Sequence, residues 1–315
     1  NMNDNKTKGR SIEITGLGRA FGSFWAVRQV DLSVGRGEIF GLVGPDGAGK
    51  TTVMRMAAGV LIPSEGDIVI DGHSVVSDPE KVKIRIGYMS QRFGLYGDLT
   101  VLENLRFYGD LYEISEKERT AEEERLLGFS NLTPFKNRKA RDLSGGMKQK
   151  LGLACSLVHR PSVLLLDEPT NGVDPVSRRD FWKILHEMVK EGVTVFVSTS
   201  YLDEAERCGR VGMIQEGRLT MCDNPRALKK TISGTILEIL SADSVKTLRE
   251  LRERYGKLSS DLVSGVIRFR LPENSSVEKI KDEIKIMGLD DLTIKEAQPT
   301  LEDVFVSRAM RVDVQ

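Results

Sequence analysis

Long hydrophobic runs are missing from this chain of 315 residues, and so is net charge. No apolar stretch approaches the roughly 20 residues that a membrane-crossing helix needs, so work at a membrane requires spans from another chain. Lysine plus arginine number 46 against 46 aspartate plus glutamate. That balance offers no general attraction to a polyanion, and nucleic acid is not expected as a partner. Cysteine is scarce: Cys155, Cys208 and Cys222 are odd in number and scattered. They fit a reducing compartment better than a disulfide framework. Aromatics make up only 6% of the residues, so the cluster Phe21, Phe24 and Trp25 stands out. No secretory leader pattern is visible. The polar start, residues 1–10, is expected to be loose.

What is present is dense in motifs. The length suggests about two domains. The stretch Gly44-Pro45-Asp46-Gly47-Ala48-Gly49-Lys50-Thr51 fits the phosphate-loop pattern GxxxxGK[ST]. An apolar run at 38–43 before it reads as a buried strand, and residues 51–59 after it read as a helix. A strand–loop–helix of this kind turns its amide groups inward around phosphate oxygens at a helix N-terminus. Lys50 supplies a cation for the β- and γ-phosphates, and the Thr51 hydroxyl is placed to ligate Mg²⁺. Upstream, residues 11–34 read as two strands joined by a turn. Phe21 is the expected adenine platform, with Trp25 as second choice.

Downstream, residues 67–70 with Asp71-Gly72 predict an antiparallel sheet edge. A strand at 86–91 ends in Gln91. Helices are expected at 101–112 and 115–127, and an exposed polar loop at 131–142. Leu143-Ser144-Gly145-Gly146-Met147 opens a helix capped by Ser144, with Met147, Leu151, Ala154 and Val158 as its inward stripe. Glycines directly after a cap leave amides exposed at the positive helix end, a second anion-binding surface. Four apolar residues, 163–166, lead into Asp167-Glu168-Pro169-Thr170, which predicts a doubly buried parallel strand with two carboxylates at its C-terminal end. Asp167 suits Mg²⁺, and Glu168 suits polarising the water that attacks the γ-phosphate. Another doubly buried strand, 193–197, runs into Ser198-Thr199-Ser200-Tyr201-Leu202-Asp203-Glu204. A hairpin at 211–222 and a short basic helix at 225–230 follow.

In this order, the phosphate loop, Gln91, LSGGM, LLLDEP, the Asp174 turn and STSYLDEAE resemble the nucleotide-binding domain of ABC transporters, over about two-thirds of the chain. The resemblance implies an α/β phosphate-loop NTPase of ABC type: a mixed sheet core, an antiparallel edge and a helical subdomain at about 92–160. It implies ATP and Mg²⁺ as cofactors, with Gly44 to Thr51 and Thr52 around the phosphates and Thr51, Gln91 and Asp167 at the metal. It implies Glu168, Gln91 and Ser200 in catalysis. Ser144, Gly145 and Gly146 would contact ATP held by a second ATPase domain, identical or not, and Asp174 would lie at that contact. A membrane-spanning permease subunit is the other implied partner, which places the chain peripherally on the cytoplasmic face of a bacterial inner membrane.

One position departs. The family usually has His where this chain has Ser200, and Met147 replaces the more usual Gln. His73, His159 and His186 do not lie where one obviously substitutes. Two alternatives therefore stay open beside a transporter ATPase: a soluble ABC-type ATPase without a membrane partner, and a nucleotide-gated module with little turnover.

The domain is expected to span 11–231, with a joint at Ser233-Gly234 and a small α+β domain at 235–315. In that domain a helix at 243–255 is expected to turn Val245, Leu248 and Leu251 inward. The strand 266–271 alternates, with Ile267, Phe269 and Leu271 on one face and Arg268 and Arg270 on the other. Val277, Ile280, Ile284 and Met287 mark another helix, and Thr300 with Asp303 caps the last one. The unit resembles the C-terminal extension of export-type ABC ATPases.

Overall fold

The computed structural model describes residues 9–92, 94–232, 234–256, 260–263, 265–271, 276–286 and 293–312. The chain forms two compact units, Asn1–Asn224 and Pro225–Gln315.

The first unit begins with strands β1 (Arg10–Phe21) and β2 (Phe24–Gly35), then β3 (Ile39–Val43) and helix α1 (Lys50–Ala57). Next come β4 (Glu65–Ile70), β5 (His73–Ser74), α2 (Pro79–Lys83) and β6 (Ile86–Met89). Helices α3 (Val101–Leu111), α4 (Glu116–Phe129) and α5 (Gly145–Leu157) follow. The unit closes with β7 (Val163–Asp167), α6 (Pro175–Lys190), β8 (Thr194–Thr199), α7 (Leu202–Ala205), β9 (Arg210–Gln215) and β10 (Arg218–Asp223). One antiparallel sheet has the order β2-β1-β4-β5, the edge expected from Asp71-Gly72. The second has the order β10-β9-β3-β8-β7-β6, parallel except for β10.

Burial explains which sheet is which. Every residue of β3, β7 and β8 is buried, because helices cover both faces of a parallel sheet. One core gathers Ile12, Leu17, Val30 and Ile68 from the antiparallel sheet and Phe40, Leu42 and Phe196 from the parallel one. Val53, Met54 and Met56 of α1 join it. The register aligns Val43 with Thr199 and Asp167 with Ser198. The C-terminal ends of β3, β8 and β7 therefore lie side by side.

Two expectations for the helical region need correction. Met147 is only half-buried, whereas Leu151 through Leu157 of α5 are all buried. The helix is no surface amphipath: α3, α4, α6 and β6 all pack against it. Residues 131–142 are also not a simple exposed loop. They contain two 3₁₀ turns, Thr133–Phe135 and Ala140–Asp142, bury Leu132 and Ala140, and pair Lys139 with Thr100 in a β-bridge.

The second unit holds α8 (Pro225–Lys230), β11 (Ile236–Leu240), α9 (Ser244–Tyr255), β12 (Ser260–Val263), β13 (Val266–Arg270), α10 (Val277–Ile286), β14 (Thr293–Ala297) and α11 (Leu301–Val312). Its antiparallel sheet has the order β12-β13-β11-β14, with Leu237, Ile239, Leu251, Ile267, Phe269 and Ile280 in the core. The break falls at Asn224–Pro225, earlier than the joint read from Ser233-Gly234, because α8 packs against α11. Ser233 and Met287 lie outside the described residues, and so does the side chain of Ile284. Val245 is 71% exposed rather than inward, and Thr247 is buried in its place. The cap at Thr300 forms as expected: its hydroxyl accepts from the Asp303 amide at 3.3 Å, and its amide donates to Asp303 at 2.7 Å.

Arg268 is the larger correction. It is buried, not outward, with its guanidinium bonded to Glu238 at 2.5 Å, Asp303 at 2.9 Å and the Gln298 carbonyl at 2.8 Å. Partners from β11 and α11 cover this one position, so alternation does not separate core from solvent here. Removing one member of a buried ionic cluster leaves its partners desolvated and unpaired. Arg268→Ala is expected to destabilise this unit by about 3 kcal/mol. Both tryptophans, Trp25 and Trp182, lie in the first unit. Urea unfolding should therefore show an earlier transition by circular dichroism, with the tryptophan fluorescence transition unmoved.

Candidate functional site

The phosphate loop leaves the C-terminal end of β3 and enters α1. Gly49 sits at φ 105°, and a Cβ there would meet the Ala26 carbonyl oxygen at 2.5 Å. A Cβ on Gly44 would meet the Ile214 carbonyl oxygen at 2.1 Å. Only glycine fits either place. Gly49 offers no side chain to cap α1, so the first amides of that helix stay free for an anionic ligand.

Lys50 is 3% exposed, and its ammonium is fully engaged within the chain. It donates to the Gly44 carbonyl at 2.8 Å, the Pro45 carbonyl at 3.0 Å and the Ser200 hydroxyl at 3.0 Å. It also pairs with Glu168 Oε1 at 3.1 Å. Glu168 Oε2 in turn accepts from Gln91 Nε2 at 3.0 Å and Asn171 Nδ2 at 3.3 Å. Asp46 Oδ1 lies 3.0 Å from the Ser200 hydroxyl. Glu168 adopts a left-handed backbone, φ 48°, and its amide donates to the Ser198 carbonyl and hydroxyl. A non-glycine residue there costs of order 1 kcal/mol and turns the carboxylate back over the strand end.

Asp167 is 1% exposed and accepts from the Ser198 hydroxyl at 2.7 Å and the Thr51 hydroxyl at 3.2 Å. Burial pushes its carboxyl above the usual aspartate range, opposed by those two hydrogen bonds. The oxygens of Thr51 and Asp167 form a hard, half-complete donor set. Among the described residues no group of three or more His, Cys, Asp or Glu could hold a metal. A hydroxyl and a carboxylate oxygen side by side suit Mg²⁺, which keeps waters and takes phosphate oxygens alongside one or two carboxylates.

The remaining expected residues are placed differently. Phe21 is 49% exposed at the end of the β1–β2 hairpin, with the Arg19 guanidinium 4.7 Å from its ring centroid. Ser144 caps α5 by accepting from the Met147 amide at 3.3 Å. A Cβ on Gly146 would lie 2.5 Å from Ser177, so the N-terminal turns of α5 and α6 adjoin. Asp174 caps α6, accepting from Val176 and Ser177, and its carboxyl is held low by the Ser177 hydrogen bonds. Among the described residues, no hydrogen bond or ion pair joins Ser144, Gly145, Gly146 or Asp174 to the phosphate loop. Gly47, Ala48 and Thr52 stand in the loop and first turn of α1.

The chain is similar to known proteins of one family. A family model, ABC transporter, matches residues 27–171. The Nod factor export ATP-binding protein I of Bradyrhizobium diazoefficiens is 35% identical over 301 residues, covering 94% of this chain and 95% of that protein. This chain belongs to the ABC transporter family. The probable multidrug ABC transporter ATP-binding protein YbhF of Escherichia coli is 44% identical over 285 residues, 89% of this chain. The match spans 48% of YbhF, about half its length. Among solved structures, a dimeric post-hydrolysis ABC cassette bound to ADP and phosphate superposes with TM-score 0.61 at 26% identity. It covers 68% of this chain and 98% of that one.

In this ABC chain, sequence reasoning missed a second polar cluster behind the site. Glu204 is fully buried and accepts from Thr170 and, at 2.8 Å, from Thr199. Arg178 Nε lies 3.4 Å from it, with the guanidinium over the Tyr201 ring. The cluster ties β8, α6 and α7 together and fixes the turn that carries Ser200. The signal was in the acidic run Asp203-Glu204, but sequence alone does not tell the buried acid from the exposed one. With its pKa raised in the folded state, Asp167 binds its proton more tightly folded than unfolded. As pH rises through the window between the ordinary aspartate value and its folded value, stability falls. Asp167→Asn keeps an acceptor for Ser198 and removes the buried charge. It is expected to raise the melting temperature of the nucleotide-free chain at pH 7 while weakening Mg²⁺-dependent nucleotide binding, both read by thermal shift.

Proposed function

We propose that this chain is an ATP-binding and ATP-hydrolysing subunit that powers a membrane-embedded ABC exporter through ATP-driven pairing of ATPase domains. The observation that supports it best is the convergence of Lys50, Asp167, Glu168 and Ser200 at the ends of three adjoining parallel strands. The export assignment rests on relatives whose names specify multidrug transport, Nod factor export and daunorubicin resistance. Among the described residues no helix is long and apolar enough to cross a membrane, so a permease subunit would supply the spans.

In this reading Phe21 would stack on adenine, and the loop Gly44 to Gly49 with Lys50 and Thr52 would hold the phosphates. Thr51, Asp167 and Gln91 would hold Mg²⁺, which when bound draws off negative charge from the phosphate oxygens. Glu168 would orient the attacking water and take its proton as oxygen bonds to the γ-phosphorus and the bond to the β-phosphate oxygen breaks. For that, Glu168 must first leave Lys50. Ser144, Gly145 and Gly146 would meet ATP on a second ATPase domain, with Asp174 beside that contact. Their separation from the phosphate loop within one chain and the dimeric relative support this. That partner domain would be identical or non-identical to this one.

Glu168→Gln keeps the shape but cannot accept the proton. It should bind ATP as tightly as wild type while phosphate release falls by about a hundredfold or more. Wild-type turnover in this variant would remove Glu168 from the role. Ser200→His tests the departure from the family. A histidine supplies a preorganised donor worth roughly 3 kcal/mol to the developing charge, so turnover is expected to rise about a hundredfold in steady-state phosphate release.

A further inference from the structure

The contacts of Ser200 carry a charge problem. Its hydroxyl accepts from Lys50 at 3.0 Å and stands 3.0 Å from Asp46 Oδ1 and 3.1 Å from Glu168 Oε1. A hydroxyl has one proton to donate, so it serves one carboxylate at a time. Two carboxylates thus share one hydroxyl. Glu168 has its own ion pair with Lys50. Asp46 reaches the ammonium only through the Ser200 hydroxyl and adds its negative charge from the solvent side of the loop, where it is exposed. The three N–H groups of Lys50 are taken by two loop carbonyls and by the Ser200–Glu168 pair. A terminal phosphate reaching Lys50 must displace that last contact, and Asp46 stands beside the same spot.

We propose that Asp46, held through Ser200, is a specificity-determining residue that sets how strongly the site favours a nucleoside triphosphate over a diphosphate. The inference rests on the nucleotide-site reading above. The Asp46 carboxylate opposes the charge that a triphosphate brings to Lys50. A diphosphate, lacking the terminal group, meets little of that opposition. Ser200 sets the strength of the effect because it fixes Asp46 against Lys50 and Glu168. The result is a site in which Asp46 narrows the advantage of a triphosphate over a diphosphate.

The test is calorimetric binding of ADP and of an ATP analogue with a non-hydrolysable β–γ bridge, both with Mg²⁺, to the full chain. Asp46→Asn keeps an oxygen for the Ser200 hydroxyl and removes only charge. It is expected to tighten the analogue by about threefold to fivefold, the range for an exposed charge, with ADP shifted clearly less. In a Ser200→Ala background, where Asp46 is no longer held, the same substitution should shift the ratio clearly less. An unchanged ratio in Asp46→Asn overturns the inference, as do equal shifts of both nucleotides, which would report a general effect on the loop. A full-sized shift in the Ser200→Ala background overturns the role given to Ser200. If the wild type binds neither nucleotide, the functional reading fails and the inference with it. If the wild type binds both and the ratio does not move, only the inference fails.

Discussion

A buried ammonium organises the first unit. Lys50 is 3% exposed, and an unpaired charge in that position would cost several kcal/mol. Its partners come from three places in the sequence: the carbonyls that end β3, Glu168 after β7 and Ser200 after β8. Only a parallel sheet with those strands adjoining delivers all three to one point. The strand order β3-β8-β7 and its register meet that demand.

The same demand shapes what lies behind the site. The turn bearing Ser200 is held by a second buried charge, Glu204, paired with Arg178 and bonded to Thr170 and Thr199. Thr170 follows the Glu168 strand and Thr199 ends the Ser200 strand, so the two strand ends are tied on both sides. A displacement of Glu168 from Lys50 would thus act on a turn whose rear is fixed. Rigid backing of this kind confines motion to the side chains at the strand ends.

The second unit solves a similar problem with different parts. Arg268 sits in β13, an interior strand of its sheet, and Glu238, Asp303 and the Gln298 carbonyl surround its guanidinium. Asp303 also completes the cap of α11. One carboxylate therefore starts a helix and anchors it to the sheet. A planar guanidinium with five donors suits this multiple attachment better than an ammonium does.

The sequence by itself determined the local elements and the chemistry. The phosphate loop, the two carboxylates after β7, the caps at Ser144 and Thr300 and the doubly buried strands all follow from residue type and spacing. Short-range physics decides these: backbone freedom at glycine, amides needing caps, apolar runs needing cover. Tertiary structure alone decided which charges are buried. Alternation put Arg268 outward, spacing put Val245 inward, and the run Asp203-Glu204 did not tell which acid faces the core. Those outcomes depend on elements far apart in the chain covering one another. Likewise, no spacing rule showed that Ser200 would bridge Asp46, Lys50 and Glu168. That contact exists because β3, β7 and β8 end at the same level, a property of the sheet rather than of any segment.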